Sequence, residues 1–281
     1  MEVAKTPEEL KARLGNIPQE KRGFVPTMGA LHPGHTSLIY KALNDGNCVI
    51  ASVFVNRLQF NNAEDFRNYP KTPEHDLRML AEAGCELVFM PDEKDLFVPG
   101  LGLKKYELGF LENVMEGKFR PGHFQGVAQV VHRLLCLTEP SMAYFGEKDF
   151  QQCMVIQKLI ELEMLPVKMI KCPVIRESDG LAMSSRNLRL SEDARKQAGQ
   201  IYLSMRRCRD RFTSGDSVEM ICEQETQKLQ EQGLQVEYLE ICHEKGLEPV
   251  NKREEKEIRV FVAAYAGGIR LIDNLSLSDE D

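Results

Sequence analysis

The chain has 281 residues, of which 42% are hydrophobic and 28% are charged, a composition typical of a globular protein with one large or two modest domains. A net charge of −7 and a pI near 5.6 argue against duplex nucleic acid as a partner, but they do not exclude a local basic pocket for a small anion. The mean hydropathy of −0.34 and the lack of a long uncharged apolar run argue against a membrane span.

The amino-terminal stretch and the cysteines predict the compartment. Residues 1–15 contain acids and no apolar core segment, which is unlike a secretory signal. No cysteine belongs to a C-x-x-C pair, so the usual zinc spacings are excluded. We therefore expect a cytoplasmic protein with reduced, mostly buried cysteines at Cys48, Cys85, Cys136, Cys153, Cys172, Cys208, Cys222 and Cys242.

Predicted helices and strands alternate through the first part of the chain. A capping pattern at Thr6-Pro7 begins a helix that runs to about Leu14, and a second helix ends at Gly46. Further helices are predicted to begin near Thr72 and to cover 124–137 and 149–165, with apolar strands over 23–27, 48–56, 85–91, 142–146 and 167–175. This alternation predicts an α/β fold with a Rossmann-like, doubly wound parallel sheet.

The alternation of predicted strands and helices ends at about Ser191. Two long charged helices over 191–213 and 216–232 precede strand-like runs over 236–243, 257–265 and 269–275. Helices followed by hairpin-forming strands predict a smaller α+β domain. We place the boundary between residues 173 and 187, with domains over 1–175 and 176–281.

The stretch "PTMGALHPGH" (residues 26–35) follows a predicted strand and opens a predicted helix, where open α/β sheets bind ligands. Gly29 and Gly34 allow close approach of the backbone, and free N–H groups at the helix start favour an anion. His32 and His35 could instead form a metal pair or an ordinary turn, but no cluster of Cys or His nearby supplies further metal ligands. The pattern favours phosphate binding.

Three other stretches carry candidate site residues. In "GEKDFQQ", Lys148 and Asp149 suit phosphates and ribose hydroxyls, unless the stretch is only a solvated helix start. In "DGLAMSSRNLRL", the group Ser184, Ser185 and Arg186 could clamp a triphosphate, unless this loop is a linker. In "FVNRLQF", Asn56 and Gln59 could orient a small polar substrate, while "RPGHFQG" (residues 120–126) is a weaker signal. The residues alone indicate a nucleotide-binding α/β enzyme in which two regions converge on ATP phosphates.

Set in order, these stretches closely resemble the pantothenate synthetase (pantoate–β-alanine ligase) family. The matching segments are "PTMGALHPGH", "SVFVNRLQF", "EDFRNYPKT", "KFRPGHFQGV", "AYFGEKDFQQ", "DGLAMSSRN" and "RLIDN". The resemblance implies the cytidylyltransferase-like superfamily, whose HxGH signature matches residues 32–35, and a loop at 183–186 similar to the KMSKS loop of class I aminoacyl-tRNA synthetases. It also implies a homodimer whose smaller domain covers the site as a lid.

By this resemblance, ATP and (R)-pantoate form pantoyl adenylate and pyrophosphate, and β-alanine then attacks the acyl carbon to release pantothenate and AMP. Magnesium would bridge the phosphates, with its protein ligands unknown. Gln59 and Gln152 would hold pantoate, with Gln59 also facing β-alanine and Asn56 nearby. The catalytic group would comprise His35 as nominal proton donor, His32, Lys148, Ser184, Ser185 and Arg186. The ATP contacts would be Met28, Gly29, Ala30, Leu31, His32, Pro33, Gly34, His35, Gly146, Glu147, Lys148, Asp149, Ile175, Met183, Ser184, Ser185 and Arg186.

Two positions depart from the family pattern. Arg57 stands where proline usually follows the asparagine, and proline would fix φ and stiffen the turn that aims Gln59. We therefore expect intact adenylation and an altered affinity for pantoate. Gln129 stands where threonine is common. The alternative function is a nucleotidylyltransferase of the same superfamily that acts on another small acid or a phosphate, and a non-catalytic nucleotide-binding regulator is a second rival.

Overall fold

The computed structural model describes residues 1–97, 103–250 and 257–278. The chain divides into two compact units, Met1–Val174 and Ile175–Asp281. The helices of the described residues include none that combines the length and the apolar character needed to cross a bilayer.

The first unit is built on a parallel sheet, which confirms the predicted α/β class. Its strands are β1 (Glu2–Ala4), β2 (Arg22–Thr27), β3 (Cys48–Val53), β4 (Leu87–Phe89), β5 (Met142–Gly146) and β6 (Lys168–Cys172). Their order across the sheet is β1-β4-β3-β2-β5-β6, and every pairing is parallel. The three-residue β1 was not predicted, because only its pairing with β4 makes it a strand.

Helices accompany these strands along the chain. They are α1 (Pro7–Leu14), α2 (Pro33–Asn44), α3 (Ala63–Arg67), α4 (Pro73–Glu82), α5 (Glu93–Leu96), α6 (Met115–Phe119), α7 (His123–Thr138) and α8 (Phe150–Leu162). The predicted start of α1 is confirmed: the Thr6 hydroxyl accepts the Glu9 N–H, and Pro7 occupies the first helical position. The short α3, α5 and α6 lie outside the predicted helices, since so few residues carry little periodicity.

The core of this unit lies along the central strands. Phe24 and Val25 of β2, and Val49, Ile50 and Ala51 of β3, have no exposed surface. Consecutive buried residues show that both faces of these strands are covered, as in other parallel sheets. The continuous apolar runs that predicted the strands therefore reflect burial on two sides.

Three predicted strands are too long, and the one expected over 85–91 is confined to Leu87–Phe89. The strand expected over 48–56 ends at Val53, because Asn56 caps a 3-10 turn over Arg57–Gln59. The strand expected over 167–175 ends at Cys172. Apolar character continues past these strand ends, so the pattern of hydrophobic residues alone does not mark them.

The order of strands creates a switch point between β2 and β5. From β2 the chain adds β3 and β4 on one side, and it later returns to add β5 and β6 on the other side. Ligands of open α/β sheets bind beyond the carboxyl ends of the strands at such a reversal. The loop of residues 28–32 follows β2, and the segment Glu147–Asp149 follows β5. The fold thus brings two of the predicted site segments to this switch point.

The second unit has the predicted α+β character. It contains α9 (Glu192–Ser214), α10 (Val218–Glu231) and an antiparallel sheet of β7 (Gln235–His243), β8 (Ile258–Ala266) and β9 (Ile269–Ser276) in that order. Apolar residues of α9, such as Ile201 and Met205, and of α10, such as Ile221, share a core with β8 residues such as Val260. One apolar stripe on each helix therefore buries one face of the sheet.

Candidate active site

The loop after β2 is held by a buried carboxylate on α4. Asp76 is 1% exposed, and its two oxygens accept the backbone N–H groups of Ala30 (3.0 Å) and Leu31 (2.8 Å). The hydroxyl of Thr72 also donates to Asp76, at 3.0 Å. Gly29 and Ala30 have positive φ angles of 79° and 49°, so the chain turns sharply here. Sequence reasoning missed Asp76, since a first-turn acid on a helix is ordinary.

The two histidines of this loop interlock at the start of α2. The Nδ1 atom of His32 accepts the N–H of Gly34 (3.2 Å), and the Nδ1 atom of His35 accepts the N–H of His32 (3.3 Å). The ring centroids lie 4.1 Å apart. Because Nδ1 is an acceptor in both rings, each neutral imidazole carries its proton on Nε2. Both rings are thereby oriented as N–H donors.

The pKa of His35 lies well below its usual value. Burial is the largest cause, and the electrostatic influence of the neighbouring His32 and Lys148 lowers the pKa further. His35 is therefore neutral at pH 7 and acts as a hydrogen-bond donor through Nε2–H, without the charge of an imidazolium. The effect of Lys148 also shows that the segment after β5 lies within electrostatic reach of the loop after β2.

The prediction that free N–H groups at the start of α2 bind the anion needs correction. The Gly34 N–H donates to the His32 ring, and the His35 N–H donates to the carbonyl of His32 at 2.8 Å. The N–H groups of Ala30 and Leu31 are directed to Asp76. A capping histidine and a buried carboxylate satisfy these donors, so side chains are left to contact an anion.

The segment after β5 forms a 3-10 turn over Glu147–Asp149. The Lys148 ammonium lies 3.8 Å from the Asp149 carboxylate, and the Lys148 side chain is 18% exposed. Gly146 precedes the turn, and a Cβ added to it would meet nothing within 4 Å among the described residues. The turn therefore presents a partly buried cation and an acceptor at the switch point.

Asn56 and Gln59 have different environments, although both were predicted to contact substrate. Asn56 is 1% exposed, and its Nδ2 donates to the carbonyl of Gly126 (2.9 Å) and to Oε1 of Gln59 (3.1 Å). Its Oδ1 accepts the Leu58 N–H at 3.2 Å. Gln59 is half-buried, and its Nε2 donates to the sulfur of Met28 at 3.0 Å. Asn56 thus orients the amide of Gln59 toward the loop after β2.

The stretch 120–126, a weak signal in the sequence, supports the same turn. His123 Nδ1 lies 2.8 Å from the carbonyl of Gln59, and Arg120 donates to that carbonyl at 3.3 Å. A Cβ on Gly126 would lie 2.3 Å from the carbonyl oxygen of Leu58. Only glycine at this position permits so close an approach of α7 to the 3-10 turn.

Three further residues singled out in the sequence also belong to the first unit. Gln152 is half-buried in the first turn of α8, one turn after Lys148. Arg57 is exposed at the start of the 3-10 turn. Gln129 has a clear contact, since its Nε2 donates to the carbonyl of Lys104 at 3.1 Å. Gln129 therefore holds the segment that follows the undescribed residues 98–102.

The predicted triphosphate loop belongs to the second unit. Ser184 caps a 3-10 helix over Ser185–Arg189, and its hydroxyl accepts the Arg186 N–H at 3.3 Å. The Met183 N–H donates to the carbonyl of Ile175 at 2.9 Å. Ser185 is 6% exposed, whereas Ser184 and Arg186 are half-buried. The local hydrogen bonds therefore give this loop a defined conformation.

No cluster of three or more His, Cys, Asp or Glu side chains suited to a metal ion occurs in the parts of the chain that the structure describes. Magnesium bound to nucleotide phosphates keeps several waters and needs only one or two protein carboxylates. The donor set at the switch point, with Asp149 as its carboxylate, is compatible with an ion that arrives on ATP.

The fold, with an HxGH motif at the switch point of its sheet, is that expected of the class of nucleotide-binding α/β enzymes. Comparison with known proteins identifies the family. Residues 2–276 match the family described as Pantoate-beta-alanine ligase. The chain belongs to the pantoate–β-alanine ligase family, as the resemblance predicted.

Similar proteins cover nearly the whole chain. A pantothenate synthetase of Porphyromonas gingivalis is 44% identical over 283 residues, covering 99% of this chain and 100% of that protein. One from Cytophaga hutchinsonii is 45% identical over 269 residues, covering 92% and 94%. The crystal structure of pantothenate synthetase from Thermus thermophilus matches with a TM-score of 0.93 at 40% identity, covering 99% of this chain and 100% of that one.

A further crystal structure contains bound ligands. The pantoate–β-alanine ligase from Francisella tularensis, complexed with β-γ ATP and β-alanine, matches with a TM-score of 0.85 at 37% identity. The match covers 100% of this chain and 99% of that chain. The two proteins are therefore similar in both sequence and fold over their whole lengths.

Proposed function

We propose that the protein condenses (R)-pantoate with β-alanine to form pantothenate, with ATP converted to AMP and pyrophosphate through a pantoyl adenylate. Membership of the pantoate–β-alanine ligase family supports this function. One contact carries the assignment of residues. The side-chain amide of Gln59, which is proposed to bind pantoate, donates to the sulfur of Met28, and Met28 lies in the loop that also holds His32 and His35. A carboxylate bound at Gln59 would lie beside ATP bound at the histidines.

In the first step, a carboxylate oxygen of pantoate attacks the α-phosphorus of ATP, and the bond to the pyrophosphate oxygen breaks. Such a transfer needs positioning and charge neutralisation more than covalent help. His35 and His32 donate Nε2–H groups to the phosphates, and Lys148 supplies the positive charge. Gln59 and Gln152 hold pantoate in line with the α-phosphorus.

In the second step, the amine nitrogen of β-alanine attacks the acyl carbon of the adenylate. The bond from the acyl carbon to the AMP oxygen breaks, and the amine loses a proton as the amide forms. Gln59 also faces β-alanine in this proposal, so one amide serves both steps. Water must be kept from the adenylate until the amine arrives. That residues 176–281 act as a lid for this purpose stays a prediction.

The other ATP contacts are assigned by resemblance and local structure. We assign ATP contacts to residues 28–35 and 146–149 of the first unit, and to Ile175 and residues 183–186 of the second. The catalytic assignment of Ser184, Ser185 and Arg186 rests on their hydroxyl and guanidinium donors, which suit the departing pyrophosphate. Asn56, buried and satisfied by the protein, positions Gln59 in this proposal and does not itself contact substrate.

Three further properties are part of the proposal. Magnesium bound to ATP would neutralise phosphate charge during the first step. A homodimer is expected from the resemblance and is tested by light scattering on the purified protein. A cytoplasmic location is supported by the eight cysteines, which are all free thiols.

The decisive experiment measures pyrophosphate release with ATP, magnesium and (R)-pantoate, with and without β-alanine, and identifies the products by mass. We expect pyrophosphate that depends on pantoate, and AMP with pantothenate only when β-alanine is present. A product that retains the nucleotide after β-alanine is added would indicate the alternative, a nucleotidylyltransferase. If the folded protein binds ATP but releases no pyrophosphate when pantoate is added, the proposed substrate is rejected.

A further inference from the structure

A chain of buried and partly buried polar side chains links the two segments that carry Gln59 and Gln152. It consists of Gln151, Glu116, Arg120 and His123, and we call it the polar bridge. Glu116, His123 and Gln151 are 6%, 5% and 4% exposed. These residues lie outside the set assigned above to ATP, pantoate and β-alanine, so their burial calls for another role.

The bridge begins at the start of α8. Gln151 Nε2 donates to the carbonyls of Leu111 (2.8 Å) and Val114 (3.1 Å), and its Oε1 accepts the N–H of Glu116 at 3.1 Å. Every polar atom of this side chain therefore contacts the backbone of residues 111–116. Gln152 is the next residue along the helix, so the backbone that carries it is anchored to this segment.

The middle of the bridge is a charged pair. The carboxylate of Glu116 lies 3.2 Å from NH1 of Arg120, and the two side chains are 8% and 18% exposed. The same NH1 lies 3.1 Å from Nε2 of His123. Because arginine only donates, His123 Nε2 is the acceptor and its proton is on Nδ1. The pair therefore fixes both the orientation and the tautomer of His123.

The bridge ends on the main chain of Gln59. His123 Nδ1–H donates to the Gln59 carbonyl at 2.8 Å, and Arg120 NH2 donates to the same oxygen at 3.3 Å. Two donors on one carbonyl fix the peptide from which the Gln59 side chain extends. Asn56 holds the amide itself at 3.1 Å. The main chain and the side-chain amide of Gln59 are thus both restrained.

Stability alone is a poor explanation for the bridge. A buried ion pair loses hydration, and an apolar replacement of similar volume is often as stable or more so. A satisfied buried network does, however, define one geometry. Misplacement of reacting groups by about 1 Å can cost on the order of a hundredfold in rate. A rigid link between two substrate-binding segments is therefore an expected use of such a network.

We propose that the polar bridge sets the position of Gln59 relative to Gln152 and thereby the affinity for pantoate. The four residues are positioning residues, and none is assigned a contact with substrate. This inference rests on the proposed function, in which both glutamines bind pantoate. It predicts that damage to the bridge changes pantoate binding much more than ATP binding.

The test is Glu116→Gln, which keeps the shape of the side chain and removes the charge from the pair with Arg120. Loss of a charge-assisted hydrogen bond predicts a rise of about tenfold in the KM for pantoate. The KM for ATP should stay within about twofold to threefold, since the loop after β2 is held separately by Asp76. The matched control is Glu112→Gln, because the Glu112 carboxylate accepts from Gln125 at 3.0 Å, outside the bridge.

A double-mutant cycle separates positioning from general damage. If Glu116 acts through Gln59, then Glu116→Gln should have a much smaller effect on pantoate KM when Gln59→Ala is already present. Additive effects on KM, an unchanged pantoate KM, or an equal rise in the KM of ATP and pantoate would each overturn the inference. Should Glu116→Gln fail to fold, Arg120→Lys carries the same test, because it keeps the charge and loses the two-pronged contact with the carbonyl and the carboxylate.

The two proposals fail in different ways. If the unmutated protein releases pantoate-dependent pyrophosphate and the bridge variants keep their pantoate KM, the function stands and the bridge inference is wrong. If the folded unmutated protein shows no reaction with pantoate, the proposed function is rejected and the inference with it.

Discussion

Asp76 lies directly against Gly29, and a Cβ built on that glycine would come within 2.9 Å of the Asp76 Oδ2 atom. The same carboxylate accepts the next two backbone N–H groups of the loop. The helix α4 carries no residue that is predicted to contact substrate, but its Asp76 determines the shape of the loop after β2, which is proposed to bind the phosphates of ATP. The pairing also explains why the loop tolerates two consecutive residues with positive φ.

Asp76→Asn should lower the free energy of unfolding and raise the KM for ATP. The new amide presents an NH2 group where a carboxylate oxygen accepted a backbone N–H, which costs about 1–3 kcal/mol at a buried site. Urea unfolding and steady-state kinetics measure the two effects. Glu74→Gln, an exposed change on the same helix, is the control. A destabilised variant with an unchanged ATP KM would show that the carboxylate does not shape the ATP site.

His35→Ala should reduce turnover by about a hundredfold or more, as is typical when a preorganised donor to a transition state is removed. The neutral ring donates through Nε2–H, and alanine leaves that donor unreplaced. Pyrophosphate release under saturating substrates gives the rate. His75→Ala removes an exposed histidine of α4 and should leave the rate unchanged. Turnover of the His35 variant within about threefold of the unmutated rate contradicts the assignment.

His35 should also make the protein less stable in mild acid. Its folded pKa lies well below the usual value, whereas the unfolded chain takes up a proton near pH 6.5. The unfolded state therefore binds more protons below about pH 6.5, and the free energy of unfolding falls as the pH drops through that value, by at most about 1.4 kcal/mol per pH unit.

Denaturant titrations at about pH 5.5 and 7.5 measure this dependence, since the two values bracket the ordinary histidine pKa. His35→Gln removes the group, so the variant should lose less stability between the two pH values than the unmutated protein. Equal pH dependence in the two proteins would show that the pKa of His35 is not lowered on folding.

Gly126→Ala should weaken pantoate binding and destabilise the fold by about 1–3 kcal/mol, because overpacking forces the backbone to shift. The added Cβ would lie 2.3 Å from the Leu58 carbonyl oxygen, so α7 and the turn carrying Gln59 must separate. Gly15→Ala is the control, since its Cβ would make an ordinary contact of 3.4 Å with Ala12. An unchanged pantoate KM would mean that the turn can move without displacing the Gln59 amide.

Arg57→Pro should fold well and raise the KM for pantoate by about twofold to threefold, in keeping with the modest effect of an exposed charge. Arg57 opens a 3-10 turn, where proline is tolerated, and Asn56 before it is extended with ψ 107°. The turn is already held by Asn56 and α7, so loss of the cation should outweigh the stiffening. Arg57→Gln separates the two effects, and equal pantoate KM values for Arg57→Pro and the unmutated protein would contradict the expected change.

Elements that depend on a few neighbouring residues could be predicted from the sequence. Proline and a hydroxyl at Thr6-Pro7 predicted the start of α1, and the apolar run before Asn56 predicted β3. The β1 strand was missed, since its three residues become a strand only by pairing with β4, more than 80 residues later. Phosphate binding by the histidine pair stays a prediction, but the donors expected on the backbone are already satisfied, and those that remain lie on the rings.

The sequence by itself determined the alternation of helices and strands, the family and the types of residue at the candidate site, because these depend on patterns within short stretches. Only the tertiary structure decided how those residues are held. Asp76 reaches a loop 46 residues earlier in the chain, and Arg120 reaches the carbonyl of Gln59 across 61 residues. Such contacts leave no periodic signal, because they arise where folded elements meet and a buried polar group must find a partner.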